Sequence, residues 1–304
     1  MDLSVHLPRG LTLKNPVMAA SGTFGFGPEY AAYVDINRLG GVSVKGISPD
    51  PWRGNPPPRV WETPDGLLNS IGLQNPGMDA FLKDDIPFLK TVDTAVIANI
   101  IGHTVEEYQR VAERLTQEPR VDAFEVNISC PNIKEGGIQF GHDPEQAYRV
   151  TRAVRQVTDR PLMVKVSPNV AEPWVIAEAA VEAGADMISA INTLVGMAID
   201  FKTRRPGLGG RTGGLSGPAI KPVAGRIVYE LASRLSVPII GMGGIQSAED
   251  VLEFFMAGAA AVMVGTITFQ HPERMLEIIE ALPRVLTQHG FQSLQEAVGA
   301  ALPR

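Results

Sequence analysis

The chain has a single cysteine, Cys130, among its 304 residues. An intrachain disulfide is therefore impossible, and a secreted disulfide scaffold is excluded. The five histidines are scattered, and no four-ligand Cys/His set exists for a structural zinc. Positive charge is not in excess: 27 Lys and Arg stand against 33 Asp and Glu, a formal net charge of −6. No basic field would draw nucleic acid. No apolar run approaches the ~20 residues of a membrane helix. The opening MDLSVHLPRGLTLKN lacks the apolar stretch of a signal peptide. A reducing cytoplasm is the expected compartment. Also missing is a G-x-G-x-x-G turn after the first strand, the fingerprint of a dinucleotide-binding open sheet.

What the sequence does have is alternation. Short apolar runs fall at 16–21, 41–47, 95–101, 123–129, 161–167, 186–192, 238–243 and 260–265. They are apolar on both faces, as in parallel strands covered by helices. Stretches of helical period lie between them, among them 104–117, 143–158 and 248–257. Thr104 followed by Glu107 reads as a capping box. Eight strands alternating with helices, without the open-sheet fingerprint, predict an α/β fold of the (β/α)8 TIM-barrel type, a single domain over 1–304. SVHLPRGLTLKN, alternating around a Pro-Arg-Gly turn, predicts an N-terminal hairpin over the bottom of the barrel. The long irregular segments, 48–77, 130–142 and 193–217, all follow strands, where a barrel builds its catalytic face.

Six successive strands end in hydrogen-bonding groups: Ser21, Lys45, Asn99, Asn127, Lys165 and Asn192. Any one could cap a helix; six at one mouth point to a ligand. The last two strands end in Gly243-Gly244 and Gly265-Thr266. Loops at these positions form the usual phosphate site of the fold. Lys45 and Lys165 suit either stabilisation of charge on an electron-accepting ring or Schiff-base chemistry. Cys130, in NISCPN before a Gly-rich loop, is either inert packing or a general base under a lid. His103 reads as a supporting residue and His142 as solvated. Trp52 and Trp61 flank a Pro-rich loop and read as packing it down or meeting a partner, not as touching a substrate.

These motifs resemble the class 1 dihydroorotate dehydrogenases from about residue 3 to the last helix. The shared stretches are NPVMAASGTFGFG, SVKGIS, GNPPPRVWET, LNSIGLQNPG, EVNISCPN, VKVSPN, INTLVG, TGGLSGPAIKP, GMGGI and VGTI. The resemblance implies one FMN per chain, held by Ser21, Lys45, Gly46, Asn99, Asn127, Lys165, Ile191, Gly217, Gly243, Gly244, Gly265 and Thr266. It implies that Lys45, Asn69, Ser70, Ile71, Gly72, Leu73, Asn127, Asn132, Asn192 and Thr193 hold the substrate, with amides around Ser70–Leu73 and Lys45 meeting its carboxylate. Cys130 would take a proton from C5 of dihydroorotate while hydride leaves C6. PNIKEGGIQFG after the cysteine looks like the NAD-linked branch. That branch implies a partner subunit carrying FAD and a [2Fe–2S] cluster, and a homodimer of this chain within a heterotetramer. The fumarate-reducing homodimeric branch, a dihydropyrimidine dehydrogenase-like uracil reductase, an RNA-modifying flavoprotein and a non-catalytic barrel subunit that only docks partners are the rival readings.

Overall fold

The computed structural model describes residues 1–129 and 140–303. Eight parallel strands close into a barrel in strict chain order. They are β1 (Val17–Ala19), β2 (Gly41–Ser43), β3 (Ala95–Ile100), β4 (Ala123–Asn127), β5 (Leu162–Lys165), β6 (Met187–Ala190), β7 (Ile239–Met242) and β8 (Ala259–Val264). Closure is made by β8 against β1, with Val262 opposite Val17 and Met263 opposite Met18. Almost every residue of these strands is buried. A strand covered on both faces cannot alternate polar and apolar residues, which is why continuous apolar runs mark all eight.

Helices cover the outside with one apolar stripe each. Val105–Thr116 buries Tyr108, Val111, Ala112 and Leu115, the i, i+3, i+4, i+7 spacing of a single helix face. Truncating the wholly buried Leu115 to alanine would cost about 2–5 kcal/mol. Thr104 caps this helix by accepting from the Glu107 amide, but the reciprocal half of the capping box is displaced. Glu107 accepts instead from the His103 amide at 2.6 Å. The connection from β1 to β2 carries only two 3-10 turns, Pro28–Tyr30 and Ile36–Arg38. Among the described residues no helix is long and apolar enough to cross a membrane.

The N-terminal hairpin pairs Val5–His6 with Thr12–Leu13 around the turn Pro8–Gly10. Arg9 reaches Asp186 at 2.8 Å, just before β6, so the hairpin lies at the N-terminal end of the strands. Arg9 is 40% exposed while Asp186 is largely buried, so solvent screens the pair and it is worth about 1 kcal/mol. Burial of Val5, Leu7, Leu11 and Leu13 holds the hairpin down.

At the opposite end the segments expected to be irregular build a second sheet. Val60–Thr63, Gly66–Asn69, Gly213–Ser216 and Leu194–Gly196 form four antiparallel strands over the barrel mouth. Leu68 faces both Trp61 and Leu215 across its two ladders. The strands are three or four residues long and two of the pairings join segments far apart in sequence. Neither feature leaves a local periodic signal.

Candidate active site

The strand-end residues meet as one network. Lys165 Nζ donates to Ser21 Oγ at 3.2 Å, and Asn99 Nδ2 donates to the same oxygen at 3.2 Å. Asn127 Nδ2 reaches Asn99 Oδ1 at 3.4 Å, and Asn192 Nδ2 reaches Asn127 Oδ1 at 3.4 Å. Five of the six residues thus form a continuous polar line across the mouth. Alternation explains the arrangement: Asn127 stands opposite Lys165 in register, and Asn99 stands opposite Glu125. The Asn127 backbone is fixed from outside by the buried Tyr108 hydroxyl, which donates to its carbonyl at 2.8 Å. Asn192 also donates to Ser129 Oγ at 2.9 Å, and its Oδ1 accepts from the Thr193 amide at 2.8 Å.

The sixth residue, Lys45, lies just past the end of β2. Its amide leaves the barrel ladder and donates to the Gly25 carbonyl at 2.9 Å. Burial lowers the pKa of its ammonium against the pull of Glu29, and Arg59 lowers it further. Gly46, next in sequence, packs on Asn99: a Cβ there would stand 3.2 Å from Asn99 Oδ1.

A cavity of about 730 Å³ opens beside this line. Ser21, Lys165, Ile191, Asn192 and Thr193 form one wall, and the Ala190–Ile191 peptide in it is cis. Gly217, Gly243, Gly244, Gly265 and Thr266 form the far end. Gly217, Gly243 and Gly244 have φ of +100°, +129° and +77°. A Cβ at Gly244 would sit 2.9 Å from the Gly217 carbonyl oxygen, and one at Gly217 would sit 2.7 Å from Gly66 Cα. Here glycine is required by both dihedral and space. Gly265 differs, because a Cβ there meets nothing closer than 3.5 Å. Thr266 starts a short 3-10 turn, Thr266–Phe269. The mouth sheet supplies the side wall through Val60, Glu62 and Leu67.

Not every expected residue lines this cavity. Lys45, Gly46, Asn99, Asn127 and the stretch Asn69–Leu73 lie outside its described walls. Asn69 donates to the Gly214 carbonyl at 3.3 Å. The Ser70 amide, expected to meet a substrate carboxylate, donates to the Arg59 carbonyl at 2.7 Å, one step beyond the Val60–Asn69 pair of the hairpin. Ser70 Oγ accepts from Asn55. Gly72 and Leu73 both have positive φ, +73° and +56°. Cys130 and Asn132 lie outside the described residues. His103 is stacked on Trp52 with ring centroids 4.0 Å apart, and Trp61 packs over Gly207. Both tryptophans therefore hold the Pro-rich segment in place. Among the described residues no group of His, Cys, Asp and Glu could hold a metal.

One residue escaped sequence reasoning. Glu125 is completely buried in β4 and accepts from Asn99 Nδ2 at 2.5 Å, Ser43 Oγ at 2.9 Å and Ser189 Oγ at 2.8 Å. Burial alone would raise its pKa; the nearby Lys165 charge and these three donors outweigh it and leave the pKa below the usual carboxylate range. The signal was present: a glutamate two residues before Asn127 in an otherwise apolar strand must share its face.

The dihydroorotate dehydrogenase family model matches residues 3–286. Three curated relatives carry the name dihydroorotate dehydrogenase B (NAD(+)), catalytic subunit. The protein of Geotalea uraniireducens is 54% identical over 99% of this chain and 98% of its own length. That of Alkaliphilus oremlandii is 52% identical over 98% of each. That of Geobacillus kaustophilus is 55% identical over 98% of this chain and 95% of its own length. Barrel, polar mouth and glycine-walled cavity all fall within the matched span, and the chain belongs to the dihydroorotate dehydrogenase family.

Proposed function

We propose that the protein is the catalytic subunit of an NAD-linked dihydroorotate dehydrogenase. In this reading one domain over 1–304 binds FMN and oxidises dihydroorotate to orotate for pyrimidine biosynthesis in the cytoplasm. The observation that carries it is the polar line from Lys165 through Ser21, Asn99 and Asn127 to Asn192, set beside a cavity with a glycine end.

These residues fit a flavin mononucleotide. The cavity volume lies in the range of small-molecule sites, about 300–1,000 Å³. Gly243 and Gly244, in conformations that L side chains rarely adopt, let backbone approach a phosphate closely, with Gly217, Gly265 and Thr266 around it. Ser21, Asn99, Asn127 and Lys165 offer the hydrogen-bonding edge that a flat polar ring needs, with Lys45, Gly46 and Ile191 completing the site. Bound FMN supplies a two-electron acceptor for the C6 hydride.

The chain's own residues do the rest. Asn127, Asn132, Asn192 and Thr193 match the alternating donors and acceptors of a pyrimidine. Lys45 and the amides around Ser70–Leu73, Ile71 and Gly72 among them, meet the substrate carboxylate, with Asn69 shaping the stretch. Cys130 takes the C5 proton as a thiolate.

Electrons then pass to a partner subunit bearing FAD and a [2Fe–2S] cluster, two such partners flanking a homodimer of this chain. The relatives' NAD-linked name supports this over a fumarate-reducing enzyme. The test is NADH formation from dihydroorotate by the chain alone and with a co-expressed partner. NADH only with the partner is expected. Robust NAD reduction by the chain alone, or efficient fumarate reduction without a partner, would refute the assignment.

A further inference from the structure

Glu125 lies in the barrel interior without touching the cavity. Its carboxylate is bonded to Ser43 on β2 and Ser189 on β6, neither of which is a neighbouring strand to β4. The side chain therefore crosses the hollow of the barrel. Oε2 is shared between Ser43 and Asn99, and the same Asn99 nitrogen that donates to it also donates to Ser21 Oγ, the oxygen that Lys165 contacts. Glu125 and Lys165 are thus the two ends of one buried polar chain. Only Lys165 faces the cavity.

An ionised carboxylate in a barrel core is an expensive choice. Apolar residues of similar volume fill such layers without the cost of desolvation, and replacing buried ion pairs by them is often neutral or stabilising. Stability does not account for Glu125. Its neighbours show that the charge is kept: three donors converge on it, and the Lys165 charge holds the carboxyl ionised.

We propose that Glu125 is a positioning residue that orients Asn99 and sets the charge of the site, its carboxylate offsetting the Lys165 ammonium beside the bound flavin. This rests on the flavin site proposed above. A lone Lys165 would present an unbalanced positive charge in a low-dielectric wall and draw electrons strongly onto the flavin. With Glu125 behind it, the pair is close to neutral, and the flavin releases electrons to the next acceptor more readily. Asn99 is held by the same carboxylate, so its amide points its nitrogen at Ser21 and its oxygen at Asn127.

The test is the midpoint potential of the bound flavin, measured by dye equilibration on the holoprotein, with the dissociation constant of FMN alongside. Glu125→Gln keeps size and polarity but removes the charge. It should tilt the oxidised–reduced equilibrium at least tenfold toward reduced flavin, about 30 mV upward for a two-electron couple. Glu125→Asp keeps the charge and should stay within that tenfold. Lys165→Met should shift the potential downward, and adding Glu125→Gln to it should bring the potential back up at least tenfold. This second comparison decides the matter even if Glu125→Gln alone does not fold. If neither addition of Glu125→Gln moves the potential, Glu125 is packing and the inference fails while the flavin assignment stands. A wild-type protein that binds no FMN would overturn both.

Discussion

Gly244→Ala tests the glycine end of the cavity. Gly244 has φ +77°, and an added Cβ would lie 2.8 Å from Lys221 Cβ, 2.9 Å from the Gly217 carbonyl oxygen and 3.0 Å from the Lys221 amide nitrogen. An L-residue in the left-handed region costs roughly 1–2 kcal/mol. Two of the three obstacles are backbone, so the clash cannot be relieved by turning a side chain, and overpacking of this kind adds about 1–3 kcal/mol. The expected loss of stability is about 2–5 kcal/mol. The only relief is for the Gly217 and Gly244 loops to part, which widens the end of the site where the phosphate is held. FMN affinity should therefore fall by tenfold or more. Gly225→Ala is the control. Gly225 is helical, and a Cβ there meets nothing within 4 Å, so the same change should stabilise the protein by about 0.5–1 kcal/mol and leave FMN binding alone. Urea unfolding of the flavin-free chains and fluorescence titration with FMN read the two effects separately. A Gly244→Ala protein with wild-type stability and wild-type FMN affinity would refute the reasoning.

Two further outcomes follow from single residues. Burial, with Glu29 and Asp84 nearby, raises the Asp85 carboxyl from 3.8 to about 6. Between those values the folded chain holds a proton that the unfolded chain has released, so stability falls as pH rises across the window, and the penalty is complete above 6. The side chain is only partly buried, and screening leaves a gain on the order of 1 kcal/mol for Asp85→Asn at pH 7.5 that shrinks by pH 4; urea midpoints at the two pH values check it, and an equal effect at both would remove the titration as its cause. Cys130→Ala should bind FMN and orotate but slow flavin reduction by dihydroorotate about 10²–10⁴-fold in stopped flow; a normal rate would leave the cysteine as packing.

The barrel was legible because a buried parallel strand has no choice but to be apolar. All eight runs in the sequence contain the strands of the structure or overlap them within a residue at their ends. The polar strand ends were legible for the same reason: Asn99, Asn127 and Lys165 interrupt runs that otherwise exclude them. Glu125 interrupts its run equally, but it sits a layer deeper and was read as part of the strand. The mouth sheet left no signal, because Asn69 opposite Gly214 is a long-range pairing of short Gly-rich segments. The 3-10 turns between β1 and β2 were likewise invisible, since turns so short carry no helical period. The engagement of the Ser70 amide comes from the Val60–Asn69 hairpin pairing running on one step to Arg59, a ladder length that no motif records.

The most direct test of the central claim is an anaerobic titration of the purified holoprotein with dihydroorotate. One equivalent should bleach the spectrum of one FMN per chain and yield one orotate, while dihydrouracil, lacking the carboxylate, should leave the flavin oxidised. A protein without FMN, or one whose flavin is bleached by dihydrouracil and not by dihydroorotate, would contradict the account.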